Sequence, residues 1–186
     1  MLSELKPYLE GFFQKPARFL ADAGFTPNHL TICGLAIAVV CFFVYRSGGE
    51  LLGGVLLLVC GFFDIMDGAV ARLTRRETAF GGFLDSVVDR YSDFLVLTGV
   101  LLGGLASLSW TLLAILGSFM VSYTRARAEA AGTGKLTVGI AERAERLLIL
   151  SIFSILGLTN YGIILIAVLS NLTAVQRILV VRSRLI

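Results

Sequence analysis

The chain has 186 residues, 56% of them hydrophobic and 16% charged, with a formal net charge of +3. A soluble domain of this length carries about a quarter charged residues. Here the apolar residues also fall in blocks long enough to cross a bilayer. These proportions exclude an ordinary soluble domain, and so small a surplus of positive charge points to no nucleic-acid partner. Cys33, Cys41 and Cys60 lie inside apolar runs without CxxC spacing, which argues against a disulfide or zinc role.

In chain order, residues 1–26 come first as an expected interfacial amphipathic segment. Leu2, Leu5, Leu9, Phe12 and Phe13 recur at helical spacing between charged residues, and Pro16 is expected to interrupt the pattern. Charges recur throughout it, so a cleavable signal peptide is a poor match. At Thr26-Pro27-Asn28 the chain restarts, with Asn28 the expected cap of a helix beginning near His29. Residues 27–186 then form one all-α domain, an integral membrane bundle of six transmembrane helices. The expected spans are 29–46, 50–72, 82–104, 107–130, 139–157 and 160–181. Their connections near 47–49, 103–107 and 157–160 are short. Gly53, Gly54, Gly103, Gly104 and Gly117 are expected to permit close helix contact.

Nearly all the basic residues fall on the side of the N-terminus, from Lys6, Lys15 and Arg18 to Arg177, Arg182 and Arg184. Arg46 stands alone on the other side. By the positive-inside rule both termini and the 72–82 and 124–146 connections face the cytoplasm, in the cell membrane.

Asp64, Asp67, Asp85, Asp89 and Asp93 lie in or beside apolar spans, where a carboxylate costs about 2.5–3.5 kcal/mol even on a lenient scale. The i,i+3 pair Asp64/Asp67 and the i,i+4 pair Asp85/Asp89 each share one helix face, near the cytoplasmic ends of adjacent helices. Four converging carboxylates would repel one another unless protonated or neutralised. Two divalent ions about 3.5–4 Å apart would neutralise them and clamp an in-line phosphoryl displacement. Taken alone, the carboxylates suit an ion or proton path equally well.

The residues between them decide. The stretch Asp64-Ile-Met-Asp67-Gly68-Ala-Val-Ala71-Arg72, eight further residues, then Gly81-Gly-Phe-Leu-Asp85-Ser-Val-Val-Asp89 resembles the DxxDGxxAR…GxxxDxxxD signature of the CDP-alcohol phosphatidyltransferase family at every defining position. The resemblance implies a six-span fold, a CDP-activated lipid donor, two divalent cations (Mg²⁺ or Mn²⁺) and a homodimer. It also implies that Asp64, Asp67, Asp85 and Asp89 are metal ligands, with Asp89 the general base. Gly68, Ala71 and Gly81 would leave helix surface bare for a pyrimidine and its ribose, although close helix packing would also explain the glycines. Arg72 can meet a diphosphate with its forked guanidinium. Thr78, and the run Asn28, His29, Leu30 and Thr31, correspond to further donor contacts. Asp93 lies outside the signature and is expected to act as an acceptor behind the ligands.

For the acceptor, Ser122-Tyr-Thr-Arg125-Ala-Arg127-Ala-Glu129 and Gly139-Ile-Ala-Glu142-Arg143-Ala-Glu145-Arg146-Leu147 place several guanidiniums around a cytoplasmic loop, and Arg177 approaches from the last helix. Such a cluster suits a phosphate monoester. Topology and attraction to anionic lipid account for Arg75, Arg76, Arg182 and Arg184. The two segments resemble the phosphatidylinositol-phosphate and archaetidylinositol-phosphate synthase branch. That resemblance implies an inositol phosphate acceptor held by Arg125, Arg127, Arg146 and Arg177, with Arg143 a secondary choice. Glycerol 3-phosphate is the alternative acceptor, and a carboxylate-lined transporter the remote one.

Overall fold

The computed structural model describes residues 13–185, and among them every regular element is an α-helix. The first is α1 (residues 13–22). It is followed by α2 (Pro27–Arg46), α3 (Glu50–Thr74), α4 (Ala79–Leu102), α5 (Leu108–Ala130), α6 (Arg143–Ile155) and α7 (Thr159–Leu185). Leu2, Leu5, Leu9 and Phe12 of the expected interfacial segment lie outside the described residues. Pro16 does not interrupt the helix, because it falls in the first described turn of α1. Phe13, Ala17, Leu20 and Ala21 of α1 recur at helical spacing and pack on Leu30 of α2 and on Phe63, Met66 and Val70 of α3.

The start of α2 differs from expectation by two residues. Thr26, not Asn28, is the cap: its hydroxyl accepts from the His29 N–H, and the His29 ring accepts from the Thr26 N–H. Pro27 then takes the first helical position, where its missing N–H leaves nothing unsatisfied. At its far end α2 turns through residues 47–49 into α3.

Three helices, α2, α3 and α7, are long and apolar enough to cross a membrane by length and composition. The expected span at 139–157 is a helix of only 13 residues, about 20 Å long. The remainder is loop, because Glu142 stands in an extended conformation as the N-cap of α6. Two residues of that loop, Leu136 and Ala141, are nevertheless fully buried.

Helix α2 packs against both α3 and α4, α3 against α6, and α7 against α5 and α6. Small residues make these approaches. A Cβ on Gly99 would stand 2.8 Å from the Phe42 carbonyl oxygen, and one on Gly117 would stand 2.2 Å from the Ser170 hydroxyl. Gly53, Gly54 and Gly103 sit equally tightly, whereas Gly104 faces open space and serves a turn at φ +69°. Much of the buried polar set is hydroxyl: Thr111, Ser118, Ser151, Ser154, Ser170 and Thr173. Large apolar side chains such as Phe43, Leu51, Leu116 and Leu172 are exposed. This arrangement fits a lipid surrounding, where packing and internal hydrogen bonds hold helices together.

Candidate active site

The 75–78 connection brings the end of α3 and the start of α4 to one end of the bundle, so Asp64 and Asp67 meet Asp85 there. One carboxylate oxygen from each of these three lies within 4.8 Å of the others. Two oxygens bonded to one Mg²⁺ or Ca²⁺-sized ion at about 2.0–2.6 Å can stand no more than roughly 4–5 Å apart, so the donor set fits a divalent cation. Asp67 is buried, and the Thr31 hydroxyl donates to its Oδ2 at 2.8 Å. Thr31 therefore spends its hydroxyl on Asp67 rather than standing free for the donor. Leu30, Thr31, Gly34, Cys60, Val88 and Ser92 complete the hollow around the aspartates.

Asp89 lines the same hollow but stands outside the trio of converging oxygens. It is engaged by two guanidiniums. Arg90 Nη2 lies 3.0 Å from its Oδ2 and Arg143 Nε lies 3.1 Å from its Oδ1. Arg143 also approaches Asp64 at 3.5 Å and donates to Asp93 at 2.8 Å and to the Asp89 carbonyl at 2.6 Å. The other oxygen of Asp93 accepts from Arg146 at 2.8 Å. Asp93 thus stands behind the aspartates, holding two arginines, as expected of it. Arg143, a secondary choice on sequence grounds, is the arginine that enters the acidic cluster.

The other arginines separate into two groups. Arg146 is buried and spends its guanidinium on Asp93 and on the Ala141 carbonyl. Arg177 is 1% exposed. It donates from Nε to the Val138 carbonyl at 2.7 Å, from Nη2 to Glu142 at 3.1 Å, and from Nη1 to the Val121 carbonyl. Both hold the α5–α6 loop instead of presenting a free guanidinium. Arg125 pairs with Glu129 at the surface, and Arg127 is exposed.

On the donor side, a Cβ on Gly68 would meet only the mobile tip of Arg72, at 3.3 Å, so this glycine is not needed for helix packing. Gly81 faces the Thr78 hydroxyl and the Asn28 side-chain oxygen, and Thr78 caps α4 by accepting from the Gly81 N–H at 3.0 Å. Asn28, Thr78 and Gly81 therefore meet where α2 and α4 begin. Leu30 is fully buried in the small core with α1, and His29 is occupied in the Thr26 cap. Ala71 is half-buried and Arg72 exposed beside them on α3.

The sequence profile of CDP-alcohol phosphatidyltransferases matches residues 25–178. The chain belongs to this family. The archaetidylinositol phosphate synthase of Pyrococcus horikoshii is 43% identical over 185 residues, covering 100% of this chain and 98% of the relative. A crystal structure of Mycobacterium tuberculosis phosphatidylinositol phosphate synthase with CDP-DAG bound matches with a TM-score of 0.79 at 33% identity, over 90% of this chain and 92% of that one. A second structure of that enzyme, in complex with manganese and citrate, matches with the same TM-score over 90% of this chain and 88% of that one. The family match spans the signature aspartates and every connection around them, as the sequence resemblance implied.

Proposed function

We propose that this protein transfers a phosphatidyl or archaetidyl group from a CDP-activated glycerolipid to myo-inositol phosphate, releasing CMP. The observation that carries the reading is the convergence of Asp64, Asp67 and Asp85 within 4.8 Å, in a chain alike over its whole length to an archaetidylinositol phosphate synthase. Asp64, Asp67, Asp85 and Asp89 hold two divalent cations, Mg²⁺ or Mn²⁺. When bound, these supply charge neutralisation of the diphosphate and polarisation of its oxygens. Asp89 accepts the proton of the attacking inositol hydroxyl. Asn28, Gly68, Ala71, Arg72, Thr78 and Gly81 receive the nucleotide, with the exposed Arg72 guanidinium on the diphosphate. Arg125 and Arg127 meet the acceptor phosphate, while Arg146 and Arg177 hold the loop that frames it.

The same reading makes α2 to α7 a six-helix membrane bundle. The loop before α6, seated by the buried Leu136 and Ala141 and by bonds to Thr173 and Arg177 of α7, completes its short helix. It also places α1 in the interface, sets both termini and the site in the cytoplasm by the arginine asymmetry, and pairs two copies on family resemblance. Purified protein given radiolabelled CDP-lipid and a panel of acceptors tests the proposal. Inositol phosphate should be converted, free inositol poorly. A preference for glycerol 3-phosphate would overturn the acceptor assignment.

A further inference from the structure

The Arg143 guanidinium lies among the acidic side chains and contacts carboxylates from two helices. Its Nε is 3.5 Å from Asp64 Oδ2 on α3 and 3.1 Å from Asp89 Oδ1 on α4. Its Nη1 is held by Asp93 and by the Asp89 carbonyl. The three carboxylates that converge as a ligand set are Asp64, Asp67 and Asp85, and Asp89 is not among them. The Nε–H forms no hydrogen bond to either carboxylate, so it is held there by charge and proximity, and a divalent ion approaching the same oxygens meets like-charge repulsion from it.

Resting on the divalent-metal reading above, we infer that Arg143 is a built-in competitor that makes metal loading sequential. A first ion binds Asp64, Asp67 and Asp85 with Arg143 in place. Asp89, with Asp64, would hold a second only as Arg143 yields those oxygens. Asp93 makes the exchange reversible, because the guanidinium keeps that partner throughout. Arg146 fixes the other oxygen of Asp93, so the carboxylate stays aimed at Arg143. The negative diphosphate of an arriving donor favours the second ion and offsets the loss of the arginine contacts. Donor binding and completion of the metal pair therefore occur together.

Titration of the purified protein with Mn²⁺, following free Mn²⁺ by electron paramagnetic resonance, tests this without any turnover. The wild type should bind one ion tightly and a second at least about tenfold more weakly, the scale of one charge-assisted contact surrendered. CDP should tighten the second. Arg143→Gln should bring the two affinities within about threefold of each other, and Arg143→Lys should fall between. Two equal sites in the wild type would overturn the inference even if Arg143→Gln failed to fold. So would a second site unchanged in a folded Arg143→Gln. Absence of any tight Mn²⁺ site, or a first site indifferent to Asp67→Asn, would instead overturn the metal reading on which the inference stands.

Discussion

Thr31 shows how much a single hydroxyl can set. It is buried on α2, yet it bonds to Asp67 on α3 and so fixes which oxygen of that carboxylate remains for a cation. Groups that orient metal ligands in this way are typically worth about 10–100-fold in affinity. Thr31→Val keeps the volume and removes the donor, so Mn²⁺ affinity should fall within that range while the thermal midpoint changes little. In the proposed function Asp89 carries a heavier burden, both joining a cation site and accepting a proton. Asp89→Asn should lower CMP release by at least the ~10²–10⁴-fold that loss of a general base brings. Turnover near that of the wild type would remove Asp89 from the chemistry. Of the four aspartates expected to converge, Asp64, Asp67 and Asp85 do, whereas Asp89, i+4 from Asp85, stands apart on Arg90 and Arg143. The bonds from Thr31 and Arg143 were not legible in the sequence. They join residues 36 and more positions apart, and local periodicity carries no information about such partners.

At the scale of elements, the loop between α5 and α6 is the part that departs furthest from a regular helix bundle. It is fastened to α7 twice. The Thr173 hydroxyl accepts from the Ile140 and Ala141 N–H groups, and Arg177 reaches Val138 and Glu142. These bonds fix where α6 begins, and therefore where Arg143 and Arg146 stand. Arg177→Ala would strand the Val138 carbonyl and leave a void, costing about 2–4 kcal/mol. A lowered thermal midpoint in detergent should accompany any loss of activity. Arg127→Ala should do the opposite, raising acceptor KM by roughly tenfold with the midpoint unchanged, since it deletes only a contact to phosphate. Equal effects of the two substitutions on stability would refute this division. Charge clustering in the sequence placed both arginines near the acceptor. It could not separate an arginine that feeds the loop's carbonyls from one that faces water, because burial depends on α7 lying alongside.

Across the described residues, hydroxyls lie inside beside an apolar core that includes Tyr45, Leu57 and Ile163, while many other large apolar side chains face outward, and the acidic cluster sits at the end where the arginines gather. Helix order and most boundaries were legible from apolar blocks and short connections. The exception was α6, where Gly139, Ile140 and Ala141 are loop and the helix begins only at Arg143. Orientation can be measured directly. In a background lacking Cys33, Cys41 and Cys60, Arg184→Cys should react with an impermeant maleimide only from the cytoplasmic face, and Ser47→Cys only from the other. Labelling of both from one face would overturn the span count, and the two faces exchanged would reverse the topology.

The fastening of the α5–α6 loop by α7 also has a consequence in time. The chain is made from its N-terminus, so α3 and α4 are complete well before Arg177 exists. The roughly ninety residues between Asp89 and Arg177 take on the order of 5–20 s to synthesise. Throughout that interval the carboxylates are present and the helix that seats their internal counter-charge is not. The newborn protein is thus an acidic cleft first and a balanced one last, and the final helix to be made is the one that closes the account.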